Sequence, residues 1–198
     1  GVMGFPMAGH LAAKGHQVTV YNRNRARADA WVAKYGHTSA PTPRDACRDA
    51  EVAFCCVGND ADVRAVVSGG DGILAGLSTG AVVVDHTTAS AEIARTLQKE
   101  AASAGIGFVD APVSGGQAGA ENGALTVMSG GTQADFDKAA PIIAAYAKSC
   151  RRIGDSGAGQ LTKMVNQILL AGAVQGIAEG LAFGQRACRH SHGLRAGE

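Results

Sequence analysis

Short, unbroken apolar runs separated by helix-length stretches constrain this chain more than any other feature. Glu51-Val-Ala-Phe-Cys-Cys-Val57, Ala81-Val-Val-Val-Asp85 and Gly107-Phe-Val-Asp110 read as strands. Their apolar residues do not alternate with polar ones, so both faces of the sheet they form must be covered. An earlier run, His16-Gln-Val-Thr-Val-Tyr-Asn22, alternates and reads as a strand too. Helical patterns fall between them at Arg25–Tyr35, near Pro43–Arg48, near Asp60–Val67 and at Ala91–Ser103. Strand–helix repetition of this kind predicts an α/β fold, a Rossmann-like doubly wound parallel sheet. Ligands of such sheets bind beyond the carboxyl ends of the strands, where Asn22-Arg23, Val57–Asn59 and Thr87-Thr88 stand.

The chain opens on Gly1-Val-Met-Gly4 and runs directly into a helical pattern. Two glycines at this spacing fit the back half of G-x-G-x-x-G, in which a dinucleotide pyrophosphate meets backbone N–H groups at a helix N-terminus. An ordinary turn into a helix fits them equally. The strand that follows ends in Asn22-Arg23-Asn24-Arg25, where an NAD site would carry an acid for the ribose hydroxyls. No acid appears before Asp29, and guanidinium groups suit a 2′-phosphate, which favours NADP over NAD. Solvated loop arginines are the plain alternative. Thr88 is placed either to meet cofactor or substrate or to cap the next helix.

Further on, Ser114-Gly115-Gly116 offers a hydroxyl and consecutive backbone N–H groups, the material of an anion-binding nest. A glycine-rich hairpin before a strand at Ala124–Met128 is the alternative. A helix near Gln133–Tyr146 and a strand near Arg151–Ile153 follow. A long helix is then expected from Ala158 to Gln185, free of proline, with Gly172, Gly176, Gly180 and Gly184 striping one face. Its apolar residues point nearly all round, which predicts a buried helix. Lys163, Asn166 and Gln167 form one polar patch at i, i+3 and i+4. A lysine in such a helix needs a partner, does chemistry, or snorkels at the helix edge.

Composition limits the partners. With 198 residues, 46% of them hydrophobic, the chain makes one large domain or one domain and part of another. A net charge of +1 leaves no basic field for nucleic acid. The five cysteines lack C-x-x-C spacing and read as reduced thiols of a cytoplasmic protein. No unbroken apolar run reaches the roughly 18 residues of a membrane span, and no leader pattern is visible.

Four stretches together resemble the β-hydroxyacid dehydrogenases, the family of 3-hydroxyisobutyrate dehydrogenase and tartronate semialdehyde reductase (2-hydroxy-3-oxopropionate reductase). They are Gly1-Val-Met-Gly-Phe-Pro-Met-Ala-Gly-His-Leu, Asp110-Ala-Pro-Val-Ser-Gly-Gly, Gly123-Ala-Leu-Thr-Val-Met-Ser-Gly-Gly131 and Gly157-Ala-Gly-Gln-Leu-Thr-Lys163-Met-Val-Asn166-Gln167. The resemblance runs from Gly1 to about Ala187, and Lys-x-x-Asn-Gln leans toward the tartronate semialdehyde reductase branch. It implies that Gly1, Met3 and Gly4 cradle the pyrophosphate and that Asn22 and Arg23 meet the adenosine ribose or its phosphate. Thr88 would lie near the nicotinamide, and Ser114, Gly115 and Gly116 would hold the substrate carboxylate. Lys163 would be the acid/base, with Asn166 and Gln167 orienting substrate. The implied reaction interconverts a short 3-hydroxy acid and its semialdehyde or 3-oxo acid. The implied partners are that small molecule and, for the full-length protein, further copies of itself.

The resemblance also implies two domains, a Rossmann-like one over residues 1–155 and, over 156–198, an interdomain helix with the start of an all-helical domain. The family's first strand is absent, which predicts a hole in the sheet. From Cys188 onward the sequence departs from the family and the helix is expected to give way. His190 and His192 lie in that tail without further ligands, so no metal is expected. Two other readings remain: a non-catalytic dinucleotide-binding relative or inactive fragment, and an imine reductase, whose relatives typically lack this lysine. The 198-residue chain alone is expected to be inactive or nearly so. As-purified chain that turns over a semialdehyde at the rate of a full-length relative would overturn that expectation.

Overall fold

The computed structural model describes residues 1–193, with side chains described through Cys188. The chain divides into two units, Gly1–Lys163 and Met164–Glu198. The first opens with α1 (Gly4–Ala13), β1 (Thr19–Val20), α2 (Arg25–Tyr35), β2 (Thr38–Ser39) and α3 (Pro43–Ala46). It continues through β3 (Val52–Cys55), α4 (Asp60–Val67), α5 (Ile73–Gly76), β4 (Val82–Asp85), α6 (Ala91–Ser103) and β5 (Gly107–Asp110). The remaining elements are β6 (Val113–Ser114), α7 (Gly116–Glu121), β7 (Leu125–Gly130), α8 (Gln133–Ile143), β8 (Ala147–Gly154) and α9 (Ala158–Gly193).

Strands β3, β4 and β5 pair in parallel with matched ends, Cys55 beside Asp85 and Asp85 beside Asp110. The doubly wound α/β fold is therefore present. Beyond Asp110 the sheet becomes mixed: β7 runs antiparallel to β5 and β6, and parallel to β8. β1 and β2 form a parallel pair of their own, separate from the six-stranded sheet that begins at β3. With a partner on one side only, the run His16–Asn22 keeps a ladder of just Thr19–Val20. Strand β8 is longer than Arg151–Ile153 because β7 pairs along nearly all of it. Helix α8 stops at Ile143, and Tyr146, expected inside it, is instead drawn fully into the core.

Two apolar clusters cover the two faces of the sheet. Ala53, Cys55, Val83 and Phe108 pack with Val63 and Val67 of α4 and with Ile93, Ala94 and Leu97 of α6. Val82, Val84 and Val109 point the other way, toward Met7 and Leu11 of α1 and Ala139 and Ile143 of α8. The opposite pointing of Val82, Val83 and Val84, all 0% exposed, is the pleat expressed in packing.

The helix α9 corrects two expectations. It continues past Cys188 to Gly193, and the side chains of His190 and His192 lie outside the described residues. The apolar residues expected to be buried are exposed among the described residues: Ile168 is 70% and Phe183 75% accessible. Their all-round pattern records a need for burial but not what supplies it. The same helix, over Ala158–Cys188, is long and apolar enough by length and composition to cross a membrane. No unbroken apolar run marks it, because Asn166, Gln167, Gln175 and Glu179 interrupt the apolar residues.

The first turn of α9 belongs to the first unit because it sits on the sheet. A Cβ on Gly159 would meet the carbonyl oxygens of Met128 and Asp110, the latter at 2.7 Å. Gly159→Ala should therefore destabilise the fold by about 1–3 kcal/mol through overpacking. Gly172→Ala, with nothing within 4 Å of the new methyl, should be neutral or stabilising. Denaturant unfolding of the two variants checks the contrast.

Candidate functional site at the carboxyl edge of the sheet

Because β3, β4 and β5 run parallel and in register, their carboxyl ends share one edge. Asp110, which closes β5, has no exposed surface and accepts hydrogen bonds from the N–H groups of Gly157 (2.7 Å) and Gln160 (3.0 Å). Those donors open α9. Burial raises the Asp110 carboxyl above its usual range, and the backbone N–H bonds partly offset this. Gln160, also fully buried, donates from its amide nitrogen to the Thr87 carbonyl (2.7 Å). Its amide oxygen accepts from the Ala89 N–H at 3.0 Å. The start of α9 is thus fastened to the ends of both β4 and β5.

Lys163 follows Gln160 by three residues on the same helix and is only 8% exposed. Among the described residues it makes no ion pair or hydrogen bond. Burial lowers its ammonium below the ordinary 10.5. An amine in this setting is inclined to give up its proton, which is the property an acid/base group needs. Asn166 and Gln167 fall in the second unit and are exposed there.

At the other end of the chain, Met3 is the N-cap of α1 but supplies no side-chain cap. The first turn carries no acid, and nothing lies within 4 Å of a Cβ built on Gly1 or Gly4. The Phe5 N–H already bonds the Gly1 carbonyl at 3.1 Å and Pro6 has no N–H, so what this terminus offers an anion is open space at its glycines and no acid beside them. Asn22 uses its side-chain oxygen locally, accepting from the Asn24 N–H at 3.0 Å. Arg23 reaches Asp62 of α4 at 3.3 Å with its side chain 86% exposed. Asp62 was invisible to a reading of the loop alone, since its pairing depends on how α4 packs.

Thr88 is exposed, and the question of its role as a cap is answered: Ser90 caps α6, accepting from the Ile93 N–H at 3.0 Å. Ser114 ends β6, and the chain then enters α7, so the segment is not a bare hairpin. Gly115 and Gly116 take φ of 128° and 60°, a left-handed pair that side chains rarely adopt, and both residues are exposed. His10 braces this loop to α1 by sharing its Nε2–H between the carbonyls of Ala120 and Glu121, both at 3.0 Å. A separate cavity of about 330 Å³ lies beside Arg95, Lys99 and Ser156 and contains none of the expected site residues.

The buried groups Asp85 and His86 were not singled out from sequence, although an acid and a histidine closing an apolar strand are the visible signal. Asp85 Oδ1 accepts from the Thr87 N–H (2.9 Å) and the Cys55 thiol (3.3 Å), while Oδ2 has no partner among the described residues. Burial raises its pKa from 3.8 to about 6. His86 Nδ1 lies 2.6 Å from the Ala111 carbonyl and must donate to it, so Nε2 accepts from the Tyr146 hydroxyl at 2.8 Å. Burial lowers the ring from 6.5 to about 4, so the fold holds it neutral.

These two groups oppose one another in acid. Between pH 6.5 and about 4 the unfolded chain binds the His86 proton and the folded chain does not, so stability falls as pH falls. Asp85 keeps its proton longer in the folded chain, so its contribution is present at low pH and lost as pH rises through about 6. His86→Asn should lower the melting temperature near neutral pH, and its deficit against the parent should narrow as pH falls from 6.5 to about 4. Melting curves across that range decide the matter; a constant deficit would contradict it.

Comparison with known proteins gives this arrangement its kin. Residues 1–154 match the family described as the NAD binding domain of 6-phosphogluconate dehydrogenase. The chain is 59% identical over 187 residues to an uncharacterized oxidoreductase of Shewanella frigidimarina, covering 94% of this chain and 64% of that one. It is 35% identical over 184 residues to 3-hydroxyisobutyrate dehydrogenase of Pseudomonas aeruginosa, covering 93% and 61%. A solved structure of Mycobacterium tuberculosis 3-hydroxyisobutyrate dehydrogenase with L-serine superposes with a TM-score of 0.87 at 30% identity, covering 94% and 62%. The chain thus spans under two thirds of the length of these relatives. With residues 1–154 matched to that NAD-binding domain and 3-hydroxyisobutyrate dehydrogenases among its relatives, the chain belongs to the β-hydroxyacid dehydrogenase family.

Proposed function

We propose that the protein is an NADP-dependent oxidoreductase that interconverts a short 3-hydroxy acid and its semialdehyde or 3-oxo acid. The observation that carries this reading is Lys163: a buried amine with no counter-charge among the described residues, its pKa lowered, on a helix pinned to the carboxyl edge of an NAD-binding sheet. A bound nicotinamide supplies the hydride-transfer chemistry. Lys163 gives a proton to the substrate oxygen in reduction and takes it back in oxidation. Ser114, Gly115 and Gly116 hold the substrate carboxylate, and Thr88 faces the nicotinamide from the loop after β4. Asn166 and Gln167, three and four residues beyond Lys163, orient the substrate.

Gly1, Met3 and Gly4 receive the pyrophosphate, and Asn22 and Arg23 receive the adenosine ribose and its phosphate. The Arg23–Asp62 pair supports NADP: an exposed ion pair contributes under about 1 kcal/mol, so its arginine is cheaply transferred to a phosphate. A metal has no part in this chemistry, because the lysine supplies the proton and the nest holds the charge. Cys47, Cys55, Cys56 and Cys150 are thiols, in keeping with a cytoplasmic enzyme. The exposed apolar residues of α9 support an oligomeric complete protein, and the net charge of +1 supports a small-molecule substrate over nucleic acid.

The test is oxidation of NADPH and NADH with tartronate and methylmalonate semialdehydes by protein expressed from its complete reading frame, beside Lys163→Ala. The variant should lose roughly 10²–10⁴-fold in kcat with NADPH affinity kept, and the parent should prefer NADPH. Tight NADPH binding without turnover in either protein would favour the non-catalytic relative.

A further inference from the structure

The amide of Gln160 does more than cap a helix, and we infer that it is a positioning residue: it clamps the loop carrying Thr88 onto the helix carrying Lys163. The inference rests on the reading of Lys163 and Thr88 above and adds the element that sets their separation. Gln160 is 0% exposed, and its two side-chain hydrogen bonds fall on the residues immediately before and after Thr88. The amide nitrogen donates to the Thr87 carbonyl at 2.7 Å, and the amide oxygen accepts from the Ala89 N–H at 3.0 Å. A carbonyl only accepts and an N–H only donates, so only one orientation of the amide satisfies both.

Every other connection of the clamp is also fixed. The Gln160 backbone N–H is held by Asp110 Oδ2 at 3.0 Å. On the loop side, the Thr87 N–H is held by Asp85 Oδ1 at 2.9 Å, and the Thr87 hydroxyl accepts from the Val57 N–H at 3.0 Å. Thr88 is the exposed member of a loop whose neighbours are buried and bonded on both sides. One helical turn separates the clamp from Lys163. A shift of the loop therefore has to move the turn that bears the lysine, and the distance between the nicotinamide-facing residue and the acid/base is fixed by one side chain. An error of about 1 Å in such a distance can cost on the order of 10²-fold in rate.

Gln160→Glu separates this role from simple structural support. The glutamate keeps an acceptor for the Ala89 N–H. Protonated, it also donates to the Thr87 carbonyl; ionised, it sets a carboxylate oxygen against that carbonyl. With protein from the complete reading frame, kcat, KM, NADPH affinity and melting temperature are measured across the glutamate titration for Gln160→Glu, Gln160→Leu and Lys163→Ala. The expected result is a Gln160→Glu kcat near parental at low pH that falls roughly tenfold relative to the parent as pH rises, with KM and NADPH affinity within about twofold. Gln160→Leu should lose kcat by a similar factor at every pH. Parental kcat in Gln160→Glu at all pH, with Lys163→Ala inactive, would overturn the clamp and leave the lysine reading standing. Full activity in Lys163→Ala would overturn both. A pH-dependent melting temperature with unchanged kcat would assign Gln160 a structural role and overturn the inference.

Discussion

The carboxylate of Asp110 closes β5 and opens α9, and the functional edge of the molecule depends on that junction. An acid with no solvent exposure and, among the described residues, no cationic partner is stable there because the first N–H groups of a helix converge on it. The helix gains in turn, since its orphan donors are satisfied by a charged acceptor. Gly159 has no side chain because the same turn lies against the carbonyls of Met128 and Asp110. The close approach, the cap and the burial of Lys163 are one arrangement.

Buried polarity is distributed unevenly. Asp85, His86 and Thr87 follow from β4, Asp110 ends β5, and Gln160 and Lys163 open α9. The body of the sheet between the two apolar clusters is dry by comparison. Parallel strands with both faces covered have only their ends on which to place polar groups, so site chemistry gathers at one edge. Asp85 and Asp110 stand side by side in register there; burial is the main reason Asp85 is costly to ionise, and the neighbouring Asp110 adds to it. Asp85 bears this with Oδ2 unpartnered among the described residues, and retaining a proton up to about pH 6 is the physical response.

The long helix divides along its length. Through Lys163 its start is locked into the first unit by hydrogen bonds to Asp110, Thr87 and Ala89. Beyond that point its valines, leucines and isoleucines are exposed among the described residues. An exposed apolar surface of that kind marks a contact site.

Much of this was legible in the residues themselves. Continuous β-branched runs at Val82–Val84 required a sheet covered on both faces, and the bounds of α2, α4 and α6 were legible in the pattern, whereas their caps Asn24, Asn59 and Ser90 were not, Thr88 having been weighed for α6. Lys163 stood out because a charge in an apolar helix demands a reason. What sequence alone could not decide were pairings between distant segments. The turn to antiparallel pairing at Asp110–Gly130, the meeting of Arg23 with Asp62, the His86–Tyr146 bond and the grip of Gln160 on Thr87 and Ala89 each join residues far apart in the chain. Local pattern specifies which face of an element must be buried, because that depends only on the period of a helix or strand. Which group meets which at the buried edge is set by the packing of whole elements, and only the tertiary structure decides it.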